Sequence, residues 1–376
     1  MATVLLLAAC TRSQVDPGAT VTVTGTIQDQ AGEPVAGRQV VLAPQTQVSE
    51  LLGGTLFTAL SLGTVCLADS PPEPCASFLR NSESVDSGAG GAFSFSLQGS
   101  EVRTFFGNAR SLGVSAGLAA PAGTVEGPAL LHTFTAQTEQ LDLGPLRFWE
   151  PRVTLGTGRA EWDPTSSGFG SGSGYQLEFT SGDGQPIWSS PSRAPRVEYD
   201  PRVLEDSSGL VSVTARRKGV ATGTTTESSL RSAQFAFRGD AGAPVSRARP
   251  CSVQSGDGPP AAVPSCGATD GRLSEPANFP APGPSAASGG TASPAPAEPQ
   301  WAVVDLGTPL SVSLVVLRGC ACTVQGSLDG ARWSTIGEVD RSDAAVTPSR
   351  GTRARFVRVG GEGQSLSALR EISVWS

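Results

Sequence analysis

The chain has 376 residues, 27 basic and 34 acidic, for a formal charge of −7, with 46 glycines and 29 prolines. At about 100 to 150 residues per domain the length predicts two to four compact units. So many helix breakers exclude long helices and coiled coil, 38% apolar residues exclude wholesale disorder, and no segment has the basic footprint that would make nucleic acid a partner.

Residues 1–19 read as an export signal and tether. Met1 to Gln14, MATVLLLAACTRSQ, has an apolar run of about eight residues, far short of the roughly 20 that span a bilayer. Its Leu7-Ala8-Ala9-Cys10 resembles the lipobox of bacterial lipoproteins. That resemblance implies an exported protein, lipid-anchored through Cys10 to the membrane or surface of a bacterial cell envelope. No Lys or Arg precedes the run, which points to a start codon called too late; the competing reading is a buried strand beginning at Val4.

Six cysteines remain, Cys66, Cys75, Cys251, Cys266, Cys320 and Cys322, an even number suited to disulfides outside the cytoplasm. Zinc is not expected, because no C-x2-C pair is present and His132 is the one histidine. Cys66 is expected to bond Cys75. If strand runs on from Val312–Arg318 into Val324–Ser327, Cys320 and Cys322 share a face with Cβ atoms roughly 6 to 7 Å apart, too far for a disulfide. Cross-pairing with Cys251 and Cys266, in either order, is then expected unless Gly319 turns the chain.

Between 20 and 44, β-branched and polar residues alternate on both sides of Ala31-Gly32-Glu33-Pro34, the pattern of a hairpin. The turn at 86–91 leads into Ala92-Phe93-Ser94-Phe95-Ser96-Leu97, and 112–116 closes the sheet. The strings G-x-I-x-D-x-x-G-x-P-V-x-G-x-x-V and G-x-F-x-F resemble the carboxypeptidase-regulatory-like module. This implies a small sandwich over 20–147, with 51–85 as an insert stapled by Cys66 and Cys75.

Short alternating strands at 159–163, 175–179, 197–199, 210–215 and 234–237 give a second sandwich over 148–243. It resembles a fibronectin type III or Ig-like domain, with Trp162 and Tyr175 as core aromatics. The run Gly168 to Gly174 lacks the third glycine and the helix of a phosphate cradle and reads as a hairpin loop.

In the last unit, 250–376, Trp301 to Gly307, Gly326-Ser327-Leu328-Asp329-Gly330-Ala331-Arg332-Trp333, Ala354 to Val359 and Leu369 to Trp375 follow one another, with Ala268-Thr269-Asp270-Gly271 upstream. This order and spacing resemble the discoidin (coagulation factor 5/8 type C) domain and imply a galactose-binding-like β-sandwich. The Pro/Ser/Ala/Gly run 274–299 reads as an exposed loop. The expected fold class is all-β, three tandem sandwich modules.

Catalysis has little footing. His132 sits in a strand-like stretch, and Glu161 with Asp163 read as a solvated strand face, so no enzyme is expected. Many bacterial discoidin-like domains resemble carbohydrate-binding modules, which hold sugar in loops at one end and carry a structural Ca2+. The positions matching the calcium pattern are Asp270 and Glu371; the competing reading makes Asp270 a turn cap and Glu371 an exposed side chain. Asn278 and Phe279 are the candidate sugar contacts, whereas Trp301, Trp333 and Trp375 are core residues first and Asp329-Gly330 is a turn. The expected function is a non-catalytic module displayed for glycan or another surface ligand. The alternative is a scaffold lipoprotein that binds protein partners in an envelope assembly. Oligomeric state stays open.

Overall fold

The computed structural model describes residues 14–44, 82–103, 109–165, 174–221, 224–256, 260–263, 266–273, 275–277, 279, 299–341, 343–361, 364 and 366–376. Cys10, Cys66, Cys75, Asn278 and most of 274–299 lie outside them. Among the described residues the chain is all-β, with two 3-10 turns, Pro201–Leu204 and Gly267–Thr269, and no α-helix.

The first unit contains β1 (Thr20–Gln28), β2 (Gln39–Pro44), β3 (Glu83–Asp86), β4 (Ala92–Gln98), β5 (Ser111–Gly117), β6 (Ala129–Thr135) and β7 (Gln140–Arg147). β1 pairs antiparallel with β4 and parallel with β7, and this small sheet faces β6-β5-β2-β3. The alternation predicted at 20–44 is present, but the hairpin is not. β1 and β2 lie in opposite sheets, and Val21, Val23 and Ile27 meet Val40 and Leu42 across one core. Period-two burial is the same for a hairpin and for an arch between two sheets, so the pattern could not separate them.

The second unit contains β8 (Val153–Gly156), β9 (Arg159–Trp162), β10 (Gly174–Thr180), β11 (Pro186–Ser192), β12 (Arg196–Glu198), β13 (Ser208–Ala221), β14 (Thr224–Arg231) and β15 (Phe235–Arg238). β9 and β10, on either side of the glycine-rich run, belong to different sheets; the run itself, with the hairpin loop expected there, lies outside the described residues up to Gly174. The apolar clusters change hands between Phe148 and Trp149. The hydrogen bonding does not stop there, because β14 pairs with β6 and one sheet, β11-β10-β13-β14-β6-β5-β2-β3, runs through both units.

The third unit contains β16 (Cys251–Ser255), β17 (Ala261–Val263), β18 (Gln300–Ser311), β19 (Leu314–Arg318), β20 (Thr323–Ser327), β21 (Ser334–Glu338), β22 (Asp343–Val346), β23 (Arg353–Gly361) and β24 (Glu371–Trp375). β17-β16-β18-β23-β20-β21 packs on β22-β19-β24 around a core that includes Ala302, Val304, Val357 and Ile372. The strand expected through 312–327 breaks at Gly319. Its φ is +82, and a Cβ there would run into the Ala368 carbonyl oxygen. The expected cross-pairing of cysteines is corrected accordingly. Cys320 bonds Cys322 across the break, with Cα atoms 5.4 Å apart, and Cys251 bonds Cys266, 5.6 Å apart.

Candidate cation site and the buried ionic layer beside it

Strand alternation gives β22-β19-β24 two different faces. Val315, Leu317, Ile372 and Val374 enter the terminal core, while Leu314, Val316 and Trp375 join the apolar cluster of the second unit. The outer face therefore turns toward the second unit, and at one end it becomes polar. There Arg318 stands in register between Asp343 of β22 and Glu371 of β24.

Arg318 is fully buried and satisfied from both units. It donates through Nε to the Ile187 carbonyl at 3.2 Å, through Nη2 to the Val203 carbonyl, and through Nη1 to Ser373 Oγ at 2.8 Å, and it pairs with Glu205 at 3.3 Å. Glu205 follows the Pro201–Leu204 turn with φ 51, a left-handed conformation uncommon for a side chain of this size, and is itself fully buried. Ser373 and Arg247 also donate to its carboxylate. Beside them Arg370 donates to Asp343 and to the carbonyls of Pro186 and Leu273.

Glu371 is the exception in this layer. It is completely buried, yet neither carboxylate oxygen accepts a hydrogen bond from a side chain. Burial first, then the Glu205 charge, pushes its carboxyl up to about 8; Asp270 adds to the rise, and Arg318 and the Gly271 amide offset it only in part. The reading of Glu371 as an exposed side chain is thus overturned. Asp270 does cap its turn, accepting from the Arg272 amide at 2.8 Å, while its field reaches Glu371. Arg247, just upstream, lies against the same turn, where a Cβ on Gly271 would come within 3.0 Å of its Nε.

Among the described residues no three His, Cys, Asp or Glu side chains converge as a metal set. An orphaned buried carboxylate beside a second one still fits Ca2+, which accepts main-chain carbonyls for the rest of its shell. Sequence reasoning picked out Asp270 and Glu371 but not Glu205, Arg318, Asp343 or Arg370. The available signal was an arginine closing the apolar strand Leu314-Val315-Val316-Leu317.

The other sequence candidates fall elsewhere. Phe279 is half-buried and packs on the terminal core. Glu161 pairs with Arg159, Asp163 accepts from the Arg152 amide, and His132 Nδ1 lies 2.8 Å from Ser228 Oγ on β14. Trp301 and Trp333 sandwich the Arg358 guanidinium at 4.2 and 4.3 Å, a structural cation–π stack. Val312 donates to the Thr352 carbonyl, which places the 349–353 turn at the end of the sandwich opposite Glu371. A groove of about 400 Å³ opens there, lined by Ser327, Asp329, Arg332, Thr335, Ser349 and Arg353 among others.

No protein-family model and no curated protein matches the chain. Among solved structures it is similar to a chitosan-binding module 2, in complex with chitotriose, of a chitosanase/glucanase from Paenibacillus sp. IK-5. That likeness is 22% identity over 35% of this chain and 99% of that one, with a TM-score of 0.25. The chitosan-binding module 1 of the same enzyme, as a labelled mutant, gives 20% identity over 36% and 98%, with a TM-score of 0.23. The module CBM32-1 from a family 31 glycoside hydrolase of Clostridium perfringens gives 11% identity over 20% and 68%, with a TM-score of 0.18.

Proposed function

We propose that the chain is a lipid-anchored cell-envelope protein that displays a non-catalytic glycan-binding module. The reading is carried by the discoidin-like motifs, whose residues supply β18, β20, β23 and β24 of the terminal sandwich. Asp270 and Glu371 hold Ca2+, which neutralises the buried carboxylate and fixes the Ala268–Gly271 turn against β24. Asn278 and Phe279 contact the sugar from the neighbouring loop, and the first two units form the stalk. A glycan array probed with the full chain, in calcium and in chelator, tests this: sugar binding that requires calcium is expected, and no retained glycan would overturn it. Sugar binding unchanged in a folded Phe279→Ala chain would move the contact to the groove at Ser327 and Arg353. Anchoring is tested separately, since one acyl chain binds membranes only marginally whereas a multiply acylated cysteine holds stably. Cys10→Ala is expected to leave the membrane fraction, and unchanged partition would remove the anchor.

A further inference from the structure

Two carboxylates from different units face each other across Arg318, and only one of them has side-chain donors. Glu205, from the second unit, accepts from Ser373 and Arg247 and pairs with Arg318. Glu371, two residues before Ser373 and on the same face of β24, has no side-chain donor and meets only the Gly271 amide. The nearby cations do not cover both. Arg318 is shared, Arg370 is committed to Asp343, and Arg247 divides itself between Glu205 and the exposed Asp206. Glu371 is the carboxyl left without a cation of its own, at a junction closed to solvent.

We infer that Glu205 of the second unit sets the affinity of the Asp270–Glu371 site for a divalent, oxygen-seeking cation, and that the bound cation clamps the second unit onto the terminal one. This rests on the cation reading above. Ionised, Asp270 and Glu371 together carry two negative charges that repel Glu205 through a poorly polarisable layer; a divalent cation cancels that charge and removes the repulsion. Because coupling free energies are reciprocal, Glu205 must tighten cation binding by the same factor by which the cation tightens docking. The second unit would then complete the cation site without a direct contact, and cation supply would control how rigidly the terminal module is held.

The test is calorimetric titration of the full chain with CaCl2 in metal-free buffer. Glu205→Gln keeps an acceptor for Arg318 and Ser373 but removes the charge, and is expected to weaken calcium about 10- to 100-fold for a unit charge acting across one side-chain layer. Asp206→Asn removes a neighbouring exposed charge and is expected to change the affinity by less than about twofold. Equal affinity in Glu205→Gln and the parent chain overturns the coupling and leaves the cation site standing; no calcium binding by the parent chain overturns both. Hydrogen exchange of the unaltered chain gives an independent reading should Glu205→Gln fail to fold. Calcium is expected to slow exchange over Pro201 to Asp206 while β1 and β4 of the first unit stay unchanged. Unaltered exchange at 201–206 in a chain that binds calcium overturns the clamp.

Discussion

A buried arginine with four partners in two units is a concentrated dependency. Removing one member of a buried pair costs about 3 to 5 kcal/mol when the other charge is left alone, but Glu205 keeps Arg247 and Ser373 as partners. Arg318→Ala is therefore expected to lower the unfolding free energy by about 2 to 3 kcal/mol in denaturant titration; a loss below roughly 1 kcal/mol would show that water reaches Glu205. Glu371 gives a pH signature of the opposite sign from an ordinary ion-paired carboxylate. Its native-state value, about 8, lies above its unfolded value of 4.5, so between them the folded chain holds a proton that the unfolded chain has released. In chelator the Glu371 contribution to stability is fully present below pH 4.5 and is lost as pH rises toward about 8. Glu371→Gln, which mimics the protonated form, should be the more stable chain at pH 8 and no better at pH 4. Parallel stability curves for the two chains would show that the carboxylate is not desolvated.

At the scale of elements, the terminal unit was the most legible part of the sequence, and its misread cysteine pairing is instructive. The motifs at 301–307, 326–333, 354–359 and 369–375 all mark strands or the turn between two strands, because their period-two apolar residues and their turn chemistry agree. The cysteine pairing failed on a single residue. Alternation gives no warning that Gly319 takes a left-handed conformation against the Ala368 carbonyl. Pairing between strands was equally hidden: β1 and β2 follow the hairpin pattern but serve opposite sheets, and β14 shows no local sign of its partner β6, some 95 residues earlier. Glu371 was found through its motif, yet its burial depends on residues from another unit. Non-reducing peptide mapping is expected to recover Cys251 bound to Cys266 and Cys320 bound to Cys322; a bridge from either of the first pair to either of the second would reverse this assignment. Gly319→Ala should destabilise by about 1 to 3 kcal/mol or more from the backbone conformation alone, read as a shift of the denaturant midpoint.

At the scale of the whole molecule, the units are tandem in sequence but not separate in packing. The terminal sandwich turns Leu314, Val316 and Trp375 toward the second unit, where they are 1%, 0% and 8% exposed, and Leu273 joins them there. The linker adds to the join, since Val245 donates to the Val374 carbonyl and Ser246 to that of Ile372. Cutting at 250 would expose three large apolar side chains, each worth about 1.5 to 3 kcal/mol when buried. It would also strip Arg318 of the Ile187 and Val203 carbonyls and of Glu205. The fragment 250–376 keeps its own core and both of its disulfides, so collapse to a compact state is expected, but with an apolar, charge-bearing face open to solvent. Such a fragment should self-associate, bind a hydrophobic dye and melt over a broad range. The fragment 148–376 retains the junction and should melt cooperatively, although loss of β6 leaves β14 as an open edge prone to pairing with a second copy. Calorimetry of both fragments beside the full chain distinguishes the cases. A monomeric 250–376 that melts sharply at the temperature of the full chain would mean that the junction contributes nothing to the stability of the terminal module.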